Sequence, residues 1–543
     1  MNHLILSALA ARNDRDWIGG ADAQRIGAIA HQKFQELADS NNRINFPKIL
    51  LCETNPEQFL GKFLAAVAAD CPIFLGNPHW GAQEWQQVLN LVQPDIIWGN
   101  CLEKYVTKTE QSSHKFNSTW LQCDPPKSPL KRGTFFDPPF LRGARGDRDD
   151  SREKCCNFSE NRRSGIMIPT GGSSGKIRFA IHTWETLTAS VRGFREYFQV
   201  SNVHSFCLLP IYHVSGLMQF VRSFTTGGRL AILPSYKNIL EIISSESGAA
   251  KIEQQYLDNI DLAAFFISLV PTQLSRLLQN PIAADWLSQF KTVLLGGAPA
   301  WPQLLEKARQ YQINLAPTYG MTETGSQVVT LKPREFLAGN HSCGQVLPHA
   351  RVTICAENGQ KLGINQIGMI TIQAESLSLG YYPQRYRTAH FNNKNMECAD
   401  VLPNVQSKSQ ATEKPPDFIS DDLGFFDADG YLNIVGRRSD KIITGGENVF
   451  PAEVEAAIRT TGLVTDVCAI GLPDLDWGQA IGVVYVPSSD AVSVSSLTQA
   501  LVDRLAKFKQ PKYWVPVAKL PRNAQGKINR ASLYEIAADR CRV

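Results

Sequence analysis

Residues 166 to 187 read IMIPTGGSSGKIRFAIHTWETL: an apolar run, then a tight group of glycines, serines and a lysine, then a helical-looking stretch. Gly171, Gly172 and Gly175 permit backbone conformations that expose consecutive N–H groups, while Ser173, Ser174 and Lys176 add donors and a positive charge. That is the chemistry of a phosphate clamp. The spacing is not that of a Walker loop, because Thr170 stands where the first glycine belongs and Ile177 where Ser or Thr would follow Lys176. The same Thr170 breaks a G-x-G-x-x-G dinucleotide pattern. Taken alone, the loop fits both a phosphate site and a plain surface turn, and the remainder of the chain has to separate the two.

The chain has 543 residues, 43% of them hydrophobic, enough to bury more than one core, so two or more domains are expected. A net charge of +4 is nearly balanced and indicates neither a nucleic-acid groove nor an electrostatic membrane anchor, which points to small molecules as partners. Twelve cysteines occur without a C-x-x-C pair, a usage that suits a reducing compartment. The opening segment MNHLILSALAARNDRDW lacks a basic lead and a long apolar region, and no run reaches the roughly 20 apolar residues of a membrane span. A cytoplasmic location is the expectation.

Between Ile49 and Asn100, KILLCET, PEQFLGKFLAAVAADC, PIFLGN, WQQVLNLV and PDIIWG alternate short apolar runs with amphipathic stretches, the pattern of parallel strands with helical crossovers. The pattern resumes with SFCLLPIY, GRLAILPS, AAFFISLVP and KTVLLGG. Residues 107–165 interrupt it with Pro, Gly and charges and no apolar period, so an inserted, poorly ordered segment is expected there; residues 392–416 read as a second long surface loop. After Gly424 the style changes. GFFDADGYLNIVGR carries Asp-Gly turn chemistry, PAEVEAAIRTT reads as a helix with proline in its first turn, and DVCAIGLP and QAIGVVYVP read as paired strands. SSLTQALVDRLAKFKQPKYWVP reads as a helix ended by a proline. The expectation is an α/β protein with a core over residues 1–436 and a small α+β domain over 437–543.

Five segments occur in one order: the loop at 170–178, LLGGAPA at 294–300, PTYGMTETG at 317–325, SDDLGFFDADGYLNIVGRRSDKIITGGENVFPAEVE at 420–455, and PRNAQGKINR at 521–530. Together they resemble the adenylate-forming acyl-CoA synthetase superfamily over nearly the whole chain outside the two inserts. The resemblance implies a large adenylation domain with a mobile lid, with ATP, Mg²⁺ and coenzyme A as reactants and cofactors. It also implies residue roles. Thr170, Gly171, Gly172, Ser173, Ser174, Gly175 and Lys176 would face pyrophosphate, Thr322 the phosphates, and Glu323 the metal, a hard cation that prefers carboxylate oxygen. Gly296, Gly297, Ala298 and Pro299 would line adenine, Tyr319 would stack on it, and Asp422 would take the ribose hydroxyls beside Arg437. Lys527 would be the catalytic lysine of the lid, Ser439 the hinge, and Gly445 and Gly446 the border of a pantetheine tunnel.

The match is incomplete at two places. SDDLG replaces the usual TGDLG, and Asp422 rather than Asp421 is taken as the ribose ligand by register with Leu423 and Gly424. Arg178 stands in the place of a usual lysine, keeping the charge with a different reach. LPIYHVSGLMQFVRSFTTGGRLAIL resembles the corresponding segment of 2-succinylbenzoate–CoA ligases of menaquinone and phylloquinone biosynthesis. By that resemblance His213 gates or orients an acyl pocket beside Ser215, and Arg222 is the candidate for pairing a second carboxylate. Each has a plainer reading, His213 as a structural histidine and Arg222 as a surface charge. A ligase for another aromatic or fatty acid, a module loading a carrier protein, and a non-enzymatic relative of the fold are also consistent with the sequence.

Overall fold

The computed structural model describes residues 23–40, 46–99, 165–171, 177–232, 239, 260–383, 417–445, 447–502, 504–522 and 528–541. The insert expected at 107–165 lies outside them but for Gly165, and the loop expected at 392–416 lies wholly outside, as do Gly172–Lys176, Gly446 and Lys527.

The alternating segments form two α/β sheets, as their periodicity predicts. The first has six strands in the order Tyr381–Tyr382, Ile177–His182, Ile166–Gly171, Ile73–Leu75, Ile49–Leu51 and Ile96–Trp98. The last four are mutually parallel. The second has seven, from Gln345–Val346 through Ser326–Thr330, Leu315–Met321, Thr292–Leu295, Phe265–Leu269 and His204–Cys207 to Leu230–Ile232. Its strands run parallel from Leu230–Ile232 to Leu315–Met321. Central strands such as Ile49–Leu51 and Thr292–Leu295 are buried at every residue, which is why they read as continuous apolar runs.

One expectation from sequence is corrected here. The stretch after the glycine-serine loop is not helical at once: Ile177–His182 pairs antiparallel with Ile166–Gly171, Thr170 opposite Arg178, and the loop is a hairpin connection. The helix Trp184–Phe198 starts only after Thr183, whose side chain accepts from the Thr186 N–H.

A third sheet of four antiparallel strands, Ala350–Cys355, Gly368–Ala374, Phe418–Phe426 and Leu432–Arg437, follows the first two and contains the expected Asp-Gly hairpin. Arg437 closes this sheet opposite Asp422. The C-terminal domain has its own five-stranded sheet. In it Val464–Asp474 pairs with Gly478–Pro487, and the helix Pro451–Arg459 begins with the expected proline. The helix read over 495–510 is shorter than its sequence pattern, spanning Val494–Leu501 with a separate 3-10 turn at Lys507–Lys509. The chain has to reverse there so that Tyr513–Pro516 can join Gly482–Tyr485 in parallel. Among the described residues no helix is long and apolar enough to cross a membrane.

One apolar cluster ties the two large sheets together. Phe63, on the helix Pro56–Ala68 of the first sheet, is fully buried and lies edge-on to Phe220, on the helix Val214–Thr226 of the second, with ring centroids 6.2 Å apart. Phe59 stacks on Phe63 from the same helix. Removing a buried aromatic leaves a cavity that costs about 3–5 kcal/mol. Phe63→Ala is therefore expected to lower the urea midpoint of the core domain by that equivalent, and a midpoint within error of the parent would contradict this packing.

Candidate active site

The segments singled out from sequence converge where the parallel strands end. Thr170 lies at the carboxyl end of Ile166–Gly171, Gly296 directly follows Thr292–Leu295, Tyr319 lies near the end of Leu315–Met321, and His213 is in the connection that follows His204–Cys207. In open α/β sheets, strand ends of this kind form the ligand crevice.

Two polar groups bridge elements across that crevice. Glu323 sits in the 3-10 turn Thr322–Thr324 and is only 6% exposed. Its Oε1 accepts from the Tyr381 hydroxyl and from Thr170 Oγ1, the latter at 3.4 Å, and so joins the seven-stranded sheet to the six-stranded one. Its Oε2 accepts no hydrogen bond among the described residues. His182 anchors the same turn: its Nε2–H donates to the Thr322 carbonyl at 2.7 Å, and its Nδ1 lies 3.1 Å from Thr186 Oγ1. Arg178 stacks on Tyr381, its guanidinium carbon 4.3 Å from the ring centroid, so the residue in the usual lysine's place is held by a cation–π contact beside Glu323.

The second group surrounds Asp422. The Tyr319 hydroxyl donates to Asp422 Oδ2 at 2.9 Å and lies 3.2 Å from Ser420 Oγ, while Arg437 Nε is 3.4 Å from Asp422 Oδ1. Burial raises the Asp422 carboxyl above its ordinary value, and Arg437 and the Tyr319 hydroxyl oppose that rise. Tyr319 is itself largely buried among Val328, Val352 and Ile370. Its ring is packed in the core and its hydroxyl positions Asp422.

Gly296 and Gly297 lie on the turn after Thr292–Leu295, with Ala298 and Pro299 exposed. A Cβ on Gly296 would fall 2.5 Å from Thr318 Oγ1, and Gly297 has a φ of +81°, so both positions favour glycine. His213 is 9% exposed and caps the helix Val214–Thr226, with Ser215 in its first turn. Arg222 is not the surface charge of its plainer reading: it is 3% exposed, with Nη2 donating to Ser326 Oγ at 2.8 Å and Gln327 Oε1 at 2.6 Å, and it stacks on Phe194. Burial pushes its guanidinium down to about 9, leaving it charged at neutral pH. Ser439 lies between the last core strand and Ile442–Thr444, and Gly445, at φ +57°, packs against Trp477. Sequence reasoning missed His182, Tyr381 and Ser420. His182 lies within the opening stretch, but no spacing pattern marks any of the three, because each acts through a partner 58 to 140 residues away, or in the case of Ser420 101 residues away.

A large α/β core with a strand-end crevice and a buried carboxylate turn, followed by a small α+β domain, is the architecture of adenylate-forming enzymes. The chain belongs to the AMP-binding enzyme family, whose model matches residues 47–382, and the model of the AMP-binding enzyme C-terminal domain matches residues 453–527. The 2-succinylbenzoate–CoA ligase of Listeria monocytogenes serovar 1/2a (strain ATCC BAA-679 / EGD-e) is 32% identical over 378 residues, 69% of this chain and 70% of the relative. That of Enterococcus faecalis (strain ATCC 700802 / V583) is 30% identical over 364 residues, 67% of each. Among solved structures, the o-succinylbenzoate CoA synthetase of Bacillus subtilis in complex with its acyl-adenylate intermediate shares the fold with a TM-score of 0.70 at 21% identity, covering 97% of both chains. ATP-bound MatB from Rhodopseudomonas palustris does so with a TM-score of 0.72 at 21% identity, covering 99% of this chain and 100% of that one.

The His182 contacts carry a pH signature. Burial pushes this imidazole from 6.5 down to about 4, so it is neutral in the fold. From pH 6.5 down to about 4 the unfolded chain binds more protons than the folded one, and stability present above that window is lost as the pH falls through it. Going from pH 7 to 5 is expected to cost about 2 kcal/mol through this group. His182→Gln keeps a donor for Thr322 but cannot titrate, and should flatten the urea midpoint against pH over that range. A slope as steep as the parent's would refute the assignment.

Proposed function

We propose that this chain is an AMP-forming ligase that joins 2-succinylbenzoate to coenzyme A in two steps. In the first, a carboxylate oxygen bonds to the α-phosphorus of ATP and the bond to pyrophosphate breaks, giving an acyl-adenylate. In the second, the coenzyme A sulfur bonds to the acyl carbon, the thiol proton passes to solvent, and the bond to the AMP oxygen breaks. The family membership supports the chemistry, and the relatives named 2-succinylbenzoate–CoA ligase support the substrate.

The residues of the crevice suit this chemistry. Asp422, held by Tyr319 and Arg437, offers a fixed acceptor for ribose hydroxyls. Glu323 would hold Mg²⁺ through the oxygen that Tyr381 and Thr170 leave open; one carboxylate with phosphate oxygens and water is an ordinary Mg²⁺ shell. When bound, the ion neutralises charge developing on the phosphates. Thr170 and Thr322 flank the same carboxylate, and Gly172–Lys176 and Lys527 would supply further phosphate donors from outside the described residues.

Arg222 carries the substrate reading. It is a buried, charged guanidinium whose described partners are all neutral, and it lies on the helix that His213 caps and Ser215 opens. A substrate with a second carboxylate would supply the missing counter-charge, with a charge-assisted bond of about 1.5–3 kcal/mol. Arg222→Met should raise the KM for 2-succinylbenzoate about tenfold or more and leave the rate with a monocarboxylate nearly unchanged; Arg222→Lys should recover part of the loss. AMP release across a panel of free acids with coenzyme A tests the substrate directly. Turnover of benzoates or fatty acids with none of 2-succinylbenzoate would sink the reading.

Lys527 is tested separately. Lys527→Ala should lower ATP–pyrophosphate exchange by about a hundredfold or more, the scale of losing one charge stabiliser in the transition state, while supplied acyl-adenylate still reacts with coenzyme A. Undiminished exchange would remove Lys527 from the first step.

A further inference from the structure

The turn at residues 438–441 joins the last strand of the core, Leu432–Arg437, to the first strand of the C-terminal domain, Ile442–Thr444. Its polar contacts run in two directions. Toward the core, Arg438 Nη1 lies 3.6 Å from Met369 Sδ, and the other contacts meet one residue. The Arg438 backbone N–H donates to the Asp421 carbonyl at 2.7 Å, the Ser439 hydroxyl donates to Asp421 Oδ2, and Arg438 Nε lies 3.7 Å from Asp421 Oδ1. Toward the C-terminal domain, Asp440 Oδ2 is 3.2 Å from Arg530 Nε, and Arg530 in turn donates to the Ala469 carbonyl at 2.9 Å.

The two sets of contacts belong to different bodies. Asp421 is fixed to the core sheet, since its neighbour Asp422 pairs with Arg437 across the strands. Asp440 is fixed to the C-terminal domain through Arg530, on the helix Arg530–Cys541. Rotation of the backbone at Ser439 therefore carries its hydroxyl away from Asp421, while Asp440 and Arg530 travel together. Residue 421 is also where SDDLG departs from TGDLG: a glycine there could supply the carbonyl contact but neither of the carboxylate contacts.

We propose that Asp421 is a positioning residue, a latch on the Ser439 hinge that favours the observed lid pose and so sets the ratio of the two half-reactions. The proposal rests on the two-step ligase reading above. It assigns to Asp421 no contact with substrate.

The test compares the full-length parent with Asp421→Ala, Asp421→Asn, Ser439→Ala and the Asp421→Ala/Ser439→Ala double variant. Hydrogen exchange of peptides covering residues 437–445 needs no turnover, and it should be faster by about threefold or more in Asp421→Ala, the range expected for a partly exposed hydrogen bond and ion pair. ATP–pyrophosphate exchange and thioester formation from supplied acyl-adenylate, measured separately, should shift in ratio by a similar factor in the same variant. Asp421→Asn keeps an acceptor for Ser439 and should lie between it and the parent, and the double variant should add little to Asp421→Ala. Unchanged hinge exchange in Asp421→Ala, or equal loss in both half-reactions, would overturn the latch. A parent inert toward 2-succinylbenzoate would overturn the substrate reading alone, since hinge exchange would still decide the latch.

Discussion

A carboxylate taken out of water must be given donors, and the way this chain provides them for Asp422 organises the region around it. One donor, the Tyr319 hydroxyl, comes from the end of a parallel strand in the seven-stranded sheet; the charge partner, Arg437, comes from the neighbouring strand in the four-stranded sheet. Meeting that requirement adds a polar tie between two sheets that share one apolar cluster. Arg437 also ends the last strand of that sheet, so the proposed nucleotide-side acceptor and the start of the link to the C-terminal domain are parts of one strand pair.

Glu323 applies the same constraint at the other side. Its buried carboxylate draws Tyr381 and Thr170 of the six-stranded sheet toward a turn of the seven-stranded sheet, and His182 holds that turn by its Thr322 carbonyl. The glycine-serine loop is then a hairpin connection whose entry at Thr170 touches the proposed metal ligand and whose exit at Arg178 stacks on the tyrosine that orients it.

Much of the fold was legible because burial and backbone geometry act locally. Ile49–Leu51 and Thr292–Leu295 read as parallel strands since both faces are covered, and Asp-Gly marked the hairpin before Arg437. The misread stretches share a cause. IRFAIH and the segment after Leu501 have patterns compatible with a helix, and strand pairing decided against it, with the adjacent Ile166–Gly171 in the first case and through Tyr513–Pro516 in the second. At the site, residue identity and order pointed to Thr170, Glu323, Tyr319 and Asp422. They said nothing of His182, Tyr381 or Ser420, whose roles arise from contacts across the chain.

The division between the two sources of information is physical. Sequence by itself pointed to the class of chemistry, because five motifs in one order resemble adenylate-forming acyl-CoA synthetases and that resemblance is carried by residue types. It also determined most strands and helices, because their period is local. Only the tertiary structure decided that Arg222 is buried among neutral partners, that Tyr319 serves both the core and Asp422, and that Asp421 meets Arg438 and Ser439. Burial and pairing are properties of where distant segments meet, and the same arginine or aspartate has an identical letter on a surface or in a core.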